Sequence, residues 1–110
     1  MDLFLTGFKK IQAAVHEIAI QKGWWETDNG DPAFIANVHG ECSEYWEASR
    51  QGNPMSKKIP GFTAKEEEIA DIVIRCMDTA EKRKHRLSEA IIAKMEYNKT
   101  RSHRHGGKLY

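Results

Sequence analysis

The sequence predicts an all-α fold, a four-helix bundle-like protomer, on three observations. Apolar residues recur at steps of three and four in four separate segments, which is the period of a helix. Glycine, proline and capping residues separate these segments. Apolar and polar residues do not alternate over any useful length, so no strands are expected. Helices of this kind bury their apolar stripes against one another.

The first helix carries a regular apolar series and is expected to end near Lys22, where Gly23 follows. The series comprises Phe4, Phe8, Ile11, Val15 and Ile18. After a loop, Asp31 is predicted as the N-cap of the second helix, with Pro32 in its first helical position. This helix should continue to about Gln51.

An irregular connection over residues 53–62 precedes the third helix, which Thr63 and Glu66 begin as a capping box. The basic stretch 82–86 is expected to interrupt the chain, and a fourth helix from Leu87 should fade near Arg101. We therefore predict one helical domain over residues 1–102 and a basic tail over residues 103–110.

Composition excludes several classes of protein. The chain has 110 residues, of which 40% are hydrophobic and 30% charged, with a net charge of +1. This balance predicts binding to neither nucleic acid nor a membrane surface, and no apolar run is long enough to span a bilayer. The N-terminal segment does not resemble a secretory signal, and Cys42 and Cys76 form no CxxC motif. A cytoplasmic protein without disulfides is expected.

Two helices each carry a pair of acidic residues three positions apart beside the apolar stripe. At 100° per residue, Glu41 lies inside the edge of the stripe, Glu44 lies next to it, and Glu47 points to solvent. Glu68 and Asp71 share the corresponding flank of the third helix. Converging carboxylates are costly without a cation, and oxygen ligands favour Mg²⁺ or Mn²⁺ over Zn²⁺. The alternative is a solvated acidic face.

The fourth helix and the tail carry groups that suit an anion. Lys94, Asn98 and Arg101 share one helical face, and His105 and Lys108 flank two glycines. Cations and accessible backbone N–H groups both bind phosphate. The alternative is that the cations only cover the bundle edge and the tail is frayed.

Four ordered segments resemble the MazG-like, all-α nucleoside triphosphate pyrophosphohydrolases. They are KGWWE (22–26), HGECSEYWEASRQG (39–52), GFTAKEEEIADIVIRCMD (61–78) and AIIAKMEYNKTRSHRHGGK (90–108). The acidic pairs themselves match the signature of the family. One position departs from it, because Gly40 stands where the signature usually begins with a glutamate.

The resemblance implies an activity and its cofactor. Members hydrolyse a nucleoside triphosphate between the α and β phosphates, giving a monophosphate and pyrophosphate, and mostly limit particular nucleotides. It implies Glu41, Glu44, Glu68 and Asp71 as Mg²⁺ ligands. The general base stays open between Glu44 and Glu47.

The resemblance also implies how substrate and subunits are arranged. Lys94, Asn98 and Arg101 would lie on the triphosphate side, with the tail residues His105 and Lys108 as a further phosphate contact. A deoxynucleotide is the expected substrate, and a homodimer or homotetramer the expected assembly.

Trp24 and Trp25 are candidates to stack on the nucleobase, because aromatic faces suit stacking. They could equally close the end of the bundle as apolar packing.

Two other classes of function remain open. One is a non-enzymatic helical binding module whose basic tail docks an acidic partner or RNA. The other is a metal-dependent phosphatase that releases orthophosphate.

Overall fold

The computed structural model describes residues 2–110, in which all the regular secondary structure is helical. The segments are α1 (Asp2–Gln21), α2 (Gly30–Arg50), α3 (Ala64–Arg83), α4 (Leu87–Lys99) and the single turn α5 (Arg104–Gly107). Within residues 2–110 the chain forms no strand, and one antiparallel bridge between Met55 and Thr63 closes the α2–α3 connection. The predicted all-α class is confirmed.

Helix α3 is the centre of the packing. Both α1 and α2 pack against it, and α4 packs against α1. The chain breaks between α3 and α4 at Lys84, whose left-handed backbone (φ 59°) ends α3. The short α5 is a distorted turn, because His105 and Gly106 within it also have positive φ. The acidic pairs therefore lie on the two helices, α2 and α3, that face each other.

The helix starts agree with the prediction in α3 and differ in α2. Thr63 accepts a hydrogen bond from the backbone N–H of Glu66, whose side chain accepts one from the Thr63 backbone, so the capping box is confirmed. Asp31 as N-cap is wrong. Asp28 accepts a hydrogen bond from the Gly30 backbone N–H, and α2 begins at Gly30. Asp31 instead lies in the first turn, where its charge favours the helix dipole.

The apolar core of the single chain is small. Across residues 2–110 the buried hydrophobic side chains are Ala48, Met77 and Ala80. Many larger ones are exposed, among them Ile11 (57%), Ile18 (57%), Trp46 (64%) and Ile69 (51%). Cys42, which its apolar stripe predicts to be buried, is exposed as well.

The chain is also extended for its length. Its radius of gyration is 16.2 Å, whereas a compact chain of this size has about 13 Å. Helix α4 packs against α1 and not to a comparable extent against α2 or α3. None of the helices in residues 2–110 is long and apolar enough to cross a membrane.

Candidate metal centre

Carboxylates of α2 and α3 converge where these helices pack. Oxygens of Glu41, Glu44 and Glu68 all lie within 4.8 Å of one another, and the same holds for Glu67, Glu68 and Asp71. Residues three apart occupy the same helical face one turn on, so each helix presents its acidic pair as a unit. Glu68 belongs to both groups and joins them into one cluster.

Two oxygens of this cluster are buried without a donor. Glu41 is 8% exposed, and neither its Oε2 nor the Oε2 of Glu68 has a hydrogen-bond partner among the described residues. A buried acceptor left without a partner costs roughly 1–3 kcal/mol, and more when it is charged. Carboxylate oxygens are the ligands that Mg²⁺ and Mn²⁺ prefer. The residues present therefore fit a hard divalent cation.

The second group contains Glu67, whose two carboxylate oxygens already interact with residues of the α2–α3 connection. Glu67 Oε1 accepts a hydrogen bond of 2.5 Å from the Ser56 hydroxyl, and Glu67 Oε2 lies 3.8 Å from Lys58 Nζ. Glu67 thus ties the α2–α3 connection to α3. Glu41, Glu44 and Glu68 form one group that could hold a cation, and Asp71 adjoins it through Glu68. These are the four residues that the sequence predicts as ligands, and that assignment stays a prediction.

Arg75 is part of the centre, although the sequence did not single it out. Its Nε donates to Glu41 Oε1 at 3.0 Å. Burial raises the pKa of Glu41, but the hydrogen bond and the positive charge of Arg75 oppose burial, and the pKa lies below its usual value. The signal for Arg75 was its spacing, four residues after Asp71 and therefore on the same face of α3.

Two other carboxyl groups of the cluster, those of Glu68 and Asp71, have raised pKa values, because they are partly buried and acidic groups are crowded there without a cation. Burial and the neighbouring acidic groups of Glu44, Glu41 and Asp71 raise the pKa of Glu68 to about 8. Burial and the charges of Glu41 and Glu67 also raise the pKa of Asp71. The cluster therefore retains a proton that a divalent cation would displace.

A cleft of about 760 Å³ extends from the cluster to the α1–α2 loop. Glu41, Glu44 and Asp71 line it together with Trp24 and Trp25 of the loop. Clefts of this volume are typical of small-molecule sites. Both tryptophans therefore lie where a ligand held at the cluster would extend.

The two tryptophans have different surroundings. Trp25 Nε1 donates to Asp78 Oδ1 at 2.9 Å, and its ring makes an edge contact with His16. Trp24 is 67% exposed, with the Arg75 guanidinium 5.9 Å from its ring centre. Trp25 is thus fixed within the fold, whereas Trp24 presents a large apolar surface at the cleft.

Glu47, the second candidate for a general base, lies outside the cleft. It is exposed, accepts a hydrogen bond from Gln51 Nε2 at 3.2 Å, and lies 3.8 Å from Arg50. Glu44 is the candidate that lines the cleft.

The predicted triphosphate residues lie apart from the cleft in the single chain. They are Lys94, Asn98, Arg101, His105 and Lys108, and the cleft is lined by residues between 15 and 83. On α4, Lys94 and Arg101 flank the ring of Tyr97 at 4.6 and 5.6 Å from its centre. The cations that do line the cleft are Lys58, Arg75 and Arg83, a set without a sequence motif of its own.

Comparisons with known protein families, curated proteins and solved structures find no match.

Proposed function

We propose that this chain is a Mg²⁺-dependent nucleoside triphosphate pyrophosphohydrolase of the MazG-like class, which converts a deoxynucleoside triphosphate to the monophosphate and pyrophosphate. One observation carries the proposal. Four carboxylates from facing helices converge at one end of a small-molecule cleft, and two of their buried oxygens have no donor among residues 2–110. We further propose a cytoplasmic, house-cleaning role.

The donor set supports a hard cation as cofactor. Glu41, Glu44, Glu68 and Asp71 would hold it, all through oxygen. When bound, Mg²⁺ supplies positive charge that offsets the charge of the phosphates and polarises water. Mn²⁺ is the natural substitute, because it accepts the same ligands.

The cleft residues support a division of roles in the hydrolysis. Water attacks the α-phosphorus and forms a new P–O bond, the bond from the α-phosphorus to the bridging oxygen breaks, and pyrophosphate leaves. Glu44 takes the proton of the attacking water, because it borders both cluster and cleft while Glu47 does not. Lys58, which is 81% exposed beside the cluster, can pair with phosphate oxygens.

We also propose that the complete site contains two copies of the chain, as a homodimer or homotetramer. The buried apolar core is too small for a stable monomer, and exposed isoleucines on α1 and α3 offer faces for a second copy. Lys94, Asn98 and Arg101 of that copy would then reach the triphosphate. This arrangement would give a role to the cations and the amide of α4, which lie outside the cleft of their own chain.

The test is product analysis in ¹⁸O-labelled water. The protein is incubated with each of the four deoxynucleoside triphosphates and Mg²⁺, with chelated protein as the control. We expect monophosphate and pyrophosphate, with ¹⁸O in the monophosphate, because water attacks the α-phosphorus. Orthophosphate would instead indicate the phosphatase, and no turnover of any nucleotide would favour the non-enzymatic binding module.

A further inference from the structure

The carboxylate of Asp78 lies in the cleft, away from the acidic cluster. Asp78 lines the cleft, and both hydrogen bonds that it accepts within residues 2–110 end on Oδ1, from Trp25 Nε1 at 2.9 Å and from His16 Nδ1 at 2.7 Å. A carboxylate oxygen accepts about two such bonds. Oδ1 is therefore saturated, and Oδ2 remains to accept a hydrogen bond from a ligand.

The surroundings of Asp78 hold this carboxylate in one orientation. The Trp25 ring that donates to it packs edge-on against His16, with its ring centre 5.6 Å from that of His16. The charged groups of Lys82 and Arg83 each lie 5.6 Å from the Trp25 ring centre. The Asp78 side chain is 19% exposed. A pre-oriented, partly desolvated acceptor discriminates more strongly between ligands than one in open water.

The position of Asp78 along α3 matches the distance between the two ends of a nucleotide. Asp78 follows Asp71 by seven residues, which places it on the same helical face about 10 Å further along the axis. A nucleotide with its phosphates at the acidic cluster would place its sugar in the middle of the cleft and its base near Asp78. Trp24 and Phe34 line the cleft with aromatic surface that suits the faces of a base.

We propose that Asp78 Oδ2 accepts a hydrogen bond from the exocyclic amino group of the base, so that the site prefers amino-bearing bases to thymine and uracil. An acceptor-only group suits the amino group of cytosine. It opposes the carbonyl oxygen that uracil carries at the same ring position. The inference rests on the proposed function, since it takes the ligand to be a nucleotide.

The sharpest test compares two substrates that differ in this group. Wild-type protein should show kcat/KM about ten- to hundred-fold higher for dCTP than for dUTP, the effect of one charge-assisted hydrogen bond. The 2-pyrimidinone deoxynucleoside triphosphate, which has hydrogen in place of the amino group, should lose a similar factor. Calorimetric Kd values for dCMP and dUMP in the presence of Mg²⁺ should show the same order without any turnover.

The substitution Asp78→Asn provides the reciprocal test. Asn keeps a carbonyl oxygen for Trp25 and His16 and places an NH₂ donor in the cleft, so kcat/KM for dUTP should rise while that for dCTP falls. Asp28→Asn is the matched control. It removes a carboxylate at the rim of the same cleft, but both Asp28 oxygens are bound by Arg83 at 2.6 Å, so the dCTP to dUTP ratio should not change.

Two results would overturn the inference alone: equal wild-type kcat/KM for dCTP and dUTP, or an Asp78→Asn protein in which both values fall by the same factor. If that variant does not fold, the comparison of dCTP with the 2-pyrimidinone substrate decides by itself. Absence of hydrolysis for every nucleotide would instead overturn the proposed function, and this inference with it.

Discussion

Glu41 shows how one side chain links the fold to the chemistry of the cluster. Its Oε1 is paired with Arg75 at 3.0 Å, while its buried Oε2 has no donor among residues 2–110. The ion pair keeps the carboxylate charged, which makes Glu41 ready to bind a cation without first losing a proton. Glu68 has the opposite condition, because its neighbours are acidic and its pKa is raised. One ligand is thus prepared for a cation and the other must be deprotonated to bind it.

The four proposed ligands can be tested one at a time. Glu41→Gln, Glu44→Gln, Glu68→Gln and Asp71→Asn should each lower kcat by about two orders of magnitude or more, because each removes a negative oxygen from the cation. Helicity by circular dichroism should be retained, and Mg²⁺ binding by calorimetry should weaken. Glu47→Gln, on an exposed carboxylate outside the cleft, is the control and should stay near wild type. Near-normal activity in two or more of the four variants would mean that the cation lies elsewhere.

The raised pKa of Glu68 makes the stability of the metal-free protein depend on pH. The folded chain holds this proton up to about pH 8, whereas the unfolded chain releases it near the ordinary value of 4.5. Above 4.5 the unfolded state therefore binds fewer protons, so stability is lost as the pH rises towards 8. Glu68→Gln should remove this loss and exceed wild type at about pH 9 by on the order of 2 kcal/mol, with solvent screening allowed for.

Urea unfolding in chelator, at fixed protein concentration and at about pH 4 and pH 9, measures this difference. Glu47→Gln serves again as the control. Because the Glu47 carboxylate is exposed, the difference in free energy of unfolding between this variant and wild type should be small and equal at the two pH values. If the stability advantage of Glu68→Gln over wild type is no greater at pH 9 than at pH 4, then loss of the Glu68 proton does not destabilise the fold.

At the scale of the elements, the capping box of α3 fixes where the second acidic pair begins. Thr63→Ala removes the side-chain acceptor for the Glu66 N–H and should lower the free energy of unfolding by about 1 kcal/mol. Asp31→Ala should cost less than about 0.5 kcal/mol, because Asp31 lies in the first turn of α2 and does not cap that helix. Chemical unfolding of both variants measures the contrast, and equal losses would contradict the assignment of caps.

The sequence predicted what depends on local periodicity and capping, and it missed what depends on the packing of one helix against another. Helical spacing predicted that Glu41 lies inside the edge of the apolar stripe of its helix, and Glu41 is buried in the structure. Spacing along α3 places Arg75 on the face of Asp71, but the pairing of Arg75 with Glu41 could not be predicted, because Glu41 lies on α2. The start of α2 was also wrong, because the Asp28 side chain binds the Gly30 N–H ahead of the expected cap.

At the scale of the whole molecule, the single chain leaves apolar faces exposed to water, and the candidate phosphate-binding cations of α4 lie outside its cleft. Exposed residues such as Ile18 on α1 and Trp46 on α2 leave apolar surface facing water. Such a surface favours association, since burying it recovers roughly 25 cal/mol per Å². Association of two copies would cover the apolar faces and would also bring α4 of one copy to the cleft of the other, so one experiment can test both.

Subunit complementation distinguishes a site made by two copies from a site within one. Glu44→Gln removes a cluster ligand, Lys94→Ala removes a cation of α4, and each variant alone should be nearly inactive. Coexpressed with different tags and purified through both, the mixed oligomer pairs the intact cluster of one chain with the intact α4 of the other. If the two variants pair at random into dimers, half of the dimers contain one chain of each kind, and one of the two sites in each such dimer is intact. About one quarter of wild-type activity should therefore return in the coexpressed protein before the two-tag purification. Activity no greater than the sum of the separate variants would mean that Lys94 serves the cluster of its own chain, or none.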